Sequence, residues 1–473
     1  MATLQIDQLR SKVRGPIVTR GDADYDVVRQ VHNGTIDRRP ALIVRCVDVA
    51  DVMAALDFAR ANGLLTSIRG GGHNVGGLGL CDDGLVVDLS LMRNVRVDPE
   101  ARVVEVAGGC VFGDVDHATH PFGLAVPSGF VSTTGVGGLT LGGGIGYLTR
   151  EYGYTIDSLL SADVVLADGR FVTADERANP DLFWALRGGG GNFGVVTSFR
   201  FRLHPVKFVY AGPTFWPMEQ AIDVLTAYRD FIVGAPEYVN GFFAFLTVPP
   251  APMFPEHLHM KKVCGVMWVC TGPAAKAEAA TKPMRSVGTP LLDHQGEMPL
   301  PAVNSLFDGL YPPGLQWYWR ADFVKELSAD AIARHAKHGA ALPSMLSTMH
   351  LYAIDGAAQR VGRDQTAFSY RDANWAEVIL GVDPDPANKD AITTWCKDYF
   401  DALHPYSAGG AYVNFMMDEG QERVQASFRD NYDRLSRIKA KYDPANFFRV
   451  NQNIRPAVGD RGQTEVRPLG FGV

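Results

Sequence analysis

Apolar positions in DVADVMAALDFARANG (48–63) recur at Val52, Ala55, Leu56 and Ala59, the spacing of one helix face, and Gly63 supplies a stop. The next run, LLTSIRG (64–70), is short and apolar and predicts a buried strand, as does GLVVDLS (84–90). VRVDPEARVVEV (95–106) turns at Asp98-Pro99 and ADVVLADGRFVTA (162–174) at Asp168-Gly169, so each predicts a hairpin. PDLFWALRGG (180–189) predicts a short helix with Pro180 near its start. GVVTSFRFRLHPV (194–206) predicts a strand that ends at Pro205. After residue 206 aromatic residues increase and amphipathic helices appear, for example AAKAEAATKPMRSVG (274–288). KVCGVMWVC (262–270), STMHLYAI (347–354) and GGAYVNFM (409–416) predict strands, and ERVQASFRDNYDRLSRIKAKY (422–442) predicts one helix. The pattern is that of an α+β chain in three parts: 1–206, then 207–420 with an antiparallel sheet flanked by helices, then 421–473.

Glycine is concentrated in the first part. Residues 70–79, 129–146 and 188–194 hold six, eight and five of the 50 glycines, so the backbone there approaches something closely three times. The first cluster sits in SIRGGGHNVGG (67–77), which ends its glycine run in His73. Residues 189–194 formally match the dinucleotide fingerprint GxGxxG. That motif needs a strand before it and a helix after it, and the order here is reversed. No GxxxxGK[ST] and no GxSxG is present. Two separated donor-rich loops, with Arg69 beside the first and Ser132, Thr133 and Thr134 in the second, suit a long ligand such as FAD.

Bulk composition narrows the remaining classes. The 473 residues carry a formal charge of −7 without long single-sign blocks, which argues against a nucleic-acid surface. No apolar run approaches the ~18 residues that span a bilayer. The stretch MATLQIDQLRSKVRG has no apolar signal core. The six cysteines are scattered, with no CxxC, which excludes a zinc ribbon and a disulfide scaffold and leads us to expect a reduced, cytoplasmic setting. His257 and His259 have no further ligands nearby, so no metal is expected.

RGGGHNVGGLGL, TTGVGGLTLGGGIGYLTREYGYTIDSLLSADVVLADG and PDLFWALRGGGGNFGVVTSFRFRLHPV together resemble the FAD-binding domain of the vanillyl-alcohol oxidase/p-cresol methylhydroxylase superfamily. AYVNFMMDEG and YDPANFFRVNQNI narrow the resemblance to the berberine bridge enzyme-like oxidases. It spans nearly the whole chain. It implies a PCMH-type FAD domain, formed by the first and last parts, and a substrate domain between them. It also implies FAD tethered covalently through His73. Relatives often carry a second tether on a cysteine; the matching position is Val131, so a single tether is expected. Arg69, Gly70, Gly71, Gly72 and Asn74 match the first cofactor loop, and Ser128, Gly129, Thr133, Thr134, Gly135, Gly138 and Gly143 match the second. Tyr147, Val195, Asn451 and Asn453 are also expected near the flavin, and Thr134 stands at the position that gates oxygen.

The implied chemistry is hydride transfer from a C–H bond of an alcohol, sugar or secondary metabolite to flavin, with O2 reduced to H2O2. The alternatives are a dehydrogenase using another acceptor and a non-enzymatic FAD binder. Tyr412 and Asn414 match the family's YxN segment; Tyr412 is a base or an orienting residue. Trp317, Tyr318 and Trp319 are candidate substrate walls, and His350, Tyr352, Asp355 and Glu377 are further polar candidates with core or surface alternatives. Oligomeric state has no sequence signal.

Overall fold

The computed structural model describes residues 6–458. The first five residues, and residues 459–473 of the expected C-terminal segment, lie outside the described residues. The fold is mixed α and β, with strands gathered into three sheets. The first has four strands in the order Ile17–Thr19, Leu42–Arg45, Leu85–Asp88, Thr66–Arg69. The last three run parallel and are covered on both faces, which is why LVVD and LIVR carry no outward polar alternation. Helix Val49–Ala61 makes the crossover; Asp48 caps it by accepting from Asp51 N at 3.0 Å, and Val52, Ala55, Leu56 and Ala59 are buried against the sheet.

The second sheet is antiparallel, in the order Val95–Asp98, Val103–Ala107, Val195–Arg202, Leu159–Val165, Phe171–Ala174. Phe199 and Phe201 face inward while Arg200 and Arg202 face water, the period-two pattern of a half-covered strand. The third sheet has eight antiparallel strands. Its path runs Leu292–Asp293, Phe208–Pro217, Lys262–Cys270, Val239–Thr247, Thr348–Ala353, Trp375–Asp383, Gln316–Val324, with Gly296–Pro299 added on Phe208–Pro217. One face carries Trp216, Phe243, Trp268, Met349 and Ile379 and packs under helices Ala221–Gly234, Ala329–Gly339 and Lys389–Leu403. The alternate residues Phe242, Trp317, Tyr352, Val378 and Leu380 face the glycine-rich part and share its core. Among the described residues no helix is long and apolar enough to cross a membrane.

Two sequence expectations are corrected. Residues 409–416 are not a strand. Gly409 adopts φ +94°, the segment makes only two backbone bonds to the edge strand (Ala408 N to Phe323 O, 2.7 Å; Phe323 N to Gly410 O, 2.8 Å), and it then closes into a 3-10 turn at Val413–Phe415. The expected single helix 422–442 is two, Gln421–Phe428 and Tyr432–Tyr442. Arg429 breaks it with a positive φ (φ 45°, ψ −132°), held by an ion pair to Asp372 at 2.7 Å and by stacking 3.4 Å above the Tyr370 ring.

Candidate active site

The three glycine clusters converge on one cavity of about 340 Å³, closed on its far side by the eight-stranded sheet. Two of the loops cross back to back. A Cβ on Gly71 would stand 2.5 Å from Gly135 N, and one on Gly135 would stand 2.4 Å from Gly71 N, so neither position admits a side chain. Cβ atoms on Gly138 and Gly191 would meet nothing within 4 Å; both residues line the cavity, so their bare backbone faces the space a ligand would fill.

Of the expected cofactor residues, Arg69, Gly70, Gly71, Gly72, His73, Asn74, Gly129, Thr134, Gly135, Gly138 and Asn451 line this cavity, as does Val131. Six others stand behind the wall. Val195 points into the core of the four-stranded sheet, and strand alternation puts Val196 on the cavity instead. The Asn453 amide is spent on Asn446 (3.0 and 3.1 Å), while Asn451 and Gln452 reach the lining. Ser128 is buried beside Asn304 (3.3 Å), Thr133 faces outward, and Gly143 backs onto Phe368, 2.7 Å from where its Cβ would be. Tyr147 is buried edge-on to Phe130 at 5.0 Å. The charge expected from Arg69 is already matched: its guanidinium donates to Asp88 at 2.7 Å and to the Val28 carbonyl at 2.6 Å. The loops therefore offer an anion backbone N–H groups rather than a free cation.

His73 faces the cavity with its ring stacked on His32, centroids 4.1 Å apart and planes 19° apart. Burial, with His32 alongside, pushes its pKa down to about 3, and burial lowers His32 to about 4, so both imidazoles are neutral near pH 7.

The FAD binding domain family matches residues 40–175, and the family described as Berberine and berberine like matches residues 411–455. An FAD-linked oxidoreductase of Dictyostelium discoideum is 32% identical over 462 residues, 96% of this chain and 98% of that protein. The chain belongs to the berberine-like FAD-linked oxidoreductases. (R)-6-hydroxynicotine oxidase of Paenarthrobacter nicotinovorans is 27% identical over 94% of this chain and 97% of its own length. Among solved structures, 6-hydroxy-D-nicotine oxidase from Arthrobacter nicotinovorans superposes with TM-score 0.84 at 26% identity, covering 94% of this chain and 98% of that one. Xylooligosaccharide oxidase from Myceliophthora thermophila, solved with xylobiose, does so with TM-score 0.84 at 25% identity, covering 96% and 100%.

In this berberine-like enzyme Tyr412 and Asn414 meet across the 3-10 turn rather than along a strand. The Tyr412 phenol oxygen accepts from Gly144 N at 2.8 Å, Ile145 N at 3.4 Å and Asn414 Nδ2 at 2.8 Å. Burial raises its pKa to about 12, and the three donors pull in the opposite direction. Asn414 also donates to Leu139 O at 3.0 Å, which fixes its amide orientation. Trp317 and Trp319 line the cavity, while Tyr318 projects to the opposite face of the sheet with the helices. Asp355 is engaged by Arg150 at 2.7 Å, and Glu377 is buried beside His335 at 3.6 Å on the helix-covered face, so neither lines the cavity. His350 and Tyr352 do line it, joined by a 2.6 Å hydrogen bond. Sequence reading missed His32, Phe130 and Phe242: Phe130 lies inside the second glycine cluster, between Gly129 and Val131, whereas His32 and Phe242 stand in no motif and reach the cavity only through the packing of distant segments.

Proposed function

We propose that this enzyme is an oxidase whose FAD is held covalently through His73 alone, and that it acts on an alcohol-, sugar- or secondary-metabolite-type small molecule. The observation that carries the reading is His73: a neutral imidazole, free to act as a nucleophile, at the end of a glycine loop on the cavity wall. Val131, also on the wall, stands where relatives place the second-tether cysteine, and its side chain offers no nucleophile. Bound FAD would accept a hydride from a substrate C–H bond at N5 and pass the electrons to dioxygen, yielding H2O2. The cofactor set is Gly70, Gly71, Gly72, Asn74, Gly129, Gly135, Gly138 and Asn451 around His73, with the FAD domain built from residues 1–206 and 421–473 and the substrate domain from 207–420. Thr134 lines the cavity, and its valine-like size supports access for oxygen.

Tyr412 and Asn414 form the catalytic pair. The three N–H donors aimed at the Tyr412 oxygen favour the phenolate, the form that accepts a substrate hydroxyl proton at Oη. At rest near pH 7 burial outweighs the donors and that oxygen keeps its proton, so in this state Tyr412 orients the substrate hydroxyl, and it accepts the hydroxyl proton only after its own proton has left.

Acid-precipitated wild-type protein should stay yellow, and His73→Ala should release its FAD into the supernatant; a colourless wild-type pellet refutes the tether. Enzyme reduced with dithionite and then exposed to air should consume oxygen and form peroxide. Reoxidation only by an added dye would make it a dehydrogenase.

A further inference from the structure

We infer that the substrate is an uncharged, ring-bearing alcohol of mostly apolar surface, whose hydroxyl is bound by the His350–Tyr352 pair. The inference rests on the oxidase reading above. It comes from the end of the cavity closed by the eight-stranded sheet. Phe242, Trp317, Trp319, Val378 and Leu380 give that end an aromatic and aliphatic wall, because all five point to the same face of their strands. Phe130 lies against Tyr352, centroids 4.0 Å apart and planes 16° apart, and Phe242 tilts against Tyr352 at 5.2 Å. A flat ring finds partners on several sides here, each contact contributing about 0.5–1.5 kcal/mol beyond burial.

Charge excludes the main competitors. Among the described residues that line the cavity there is no Asp, Glu or Lys, and the one charged side chain, Arg69, is already paired with Asp88. A cationic amine would enter without a counter-charge, which a buried site penalises heavily. An oligosaccharide would bury many hydroxyls against a wall with few partners, at about 1–3 kcal/mol for each one left unmatched. One hydroxyl, by contrast, is provided for. His350 Nδ1 and Tyr352 Oη are 2.6 Å apart, two residues apart on the strand Thr348–Ala353, and both line the cavity. Whichever of them donates within the pair, Tyr352 Oη keeps one hydrogen-bonding valence for an incoming hydroxyl.

The test is an anaerobic titration of the FAD-loaded enzyme, following the flavin absorbance, with benzyl alcohol, benzylamine and xylobiose as probes. Benzyl alcohol should perturb or bleach the flavin at a concentration at least about tenfold below that needed for either other probe. Tyr352→Phe, which keeps the ring, should raise the benzyl alcohol concentration required by about tenfold, the loss expected for one hydrogen bond. An equal or stronger response to xylobiose or benzylamine, no response to benzyl alcohol, or an unchanged response in Tyr352→Phe overturns the inference. Failure of the oxidase reading shows separately, as dithionite-reduced enzyme that air does not reoxidise.

Discussion

Asp116 makes the joint beneath the Phe130 loop sensitive to pH. It sits on helix Phe112–Thr119, is 4% exposed, and accepts one hydrogen bond from Asn304 Nδ2 at 2.8 Å. The same amide reaches Ser128 Oγ at 3.3 Å, two residues before Phe130. Burial raises the Asp116 pKa from 3.8 to about 6; the Asn304 bond opposes the rise, and the charge of Asp308 adds to it. The folded chain therefore holds this proton more tightly than the unfolded chain does. The resulting stability is fully present below about pH 4 and is lost as pH climbs through about 6. Two pKa units correspond to an order of 3 kcal/mol at pH 8. Asp116→Asn keeps the shape and an oxygen for Asn304 while removing the charge. It should raise Tm by about 3 °C at pH 8, given an unfolding entropy of about 1 kcal/mol per degree for a chain of this size. At pH 4 the gain should vanish. Thermal unfolding of wild type and variant across pH 4–8 measures it. A gain independent of pH, or no gain at pH 8, refutes the reasoning.

Other changes test how the cofactor site is held together. Lys439 is fully buried, paired with Asp443 at 2.6 Å, and donates to Asn192 O at 2.6 Å and Phe448 O at 2.8 Å, so it ties the third glycine cluster to the C-terminal tail. Lys439→Met strands a buried carboxylate and should cost about 3–5 kcal/mol, read as a lower Tm together with reduced FAD content. His32→Leu removes the ring stacked on His73 and should lower the covalent fraction of FAD, seen by in-gel flavin fluorescence against total flavin, by about 2–10-fold in attachment rate. His32→Phe should restore most of that loss. Val131→Cys places a thiol on the cavity wall, and in a His73→Ala background it should return yellow colour to the acid-precipitated pellet.

What could be read from the chain, and what could not, follows from the range over which each feature is determined. The glycine loops leave a local trace, because the Gly71–Gly135 crossing admits no Cβ and therefore restricts each position to one residue type. The choice between Val195 and Val196 is different. Both are apolar and adjacent, and which one meets the cavity depends on the pairing of their strand with Leu159–Val165, where a register shift falls between Asp163 and Val164. A bulge of that kind exchanges faces without changing composition. Tyr412 and Asn414 show a third case. Their closeness was expected from strand alternation, yet a 3-10 turn produces it, with the Tyr412 oxygen fixed by backbone N–H groups 268 and 267 residues earlier in the chain. His350 and Tyr352 alternate visibly with Met349 and Leu351, so a shared face could be read. Nothing local says which face is the cavity. That is settled by the apolar surface of helices Ala221–Gly234, Ala274–Arg285, Ala329–Gly339 and Lys389–Leu403, which claims Met349 and Leu351 for the covered side and leaves the hydrogen-bonded pair facing the glycine loops.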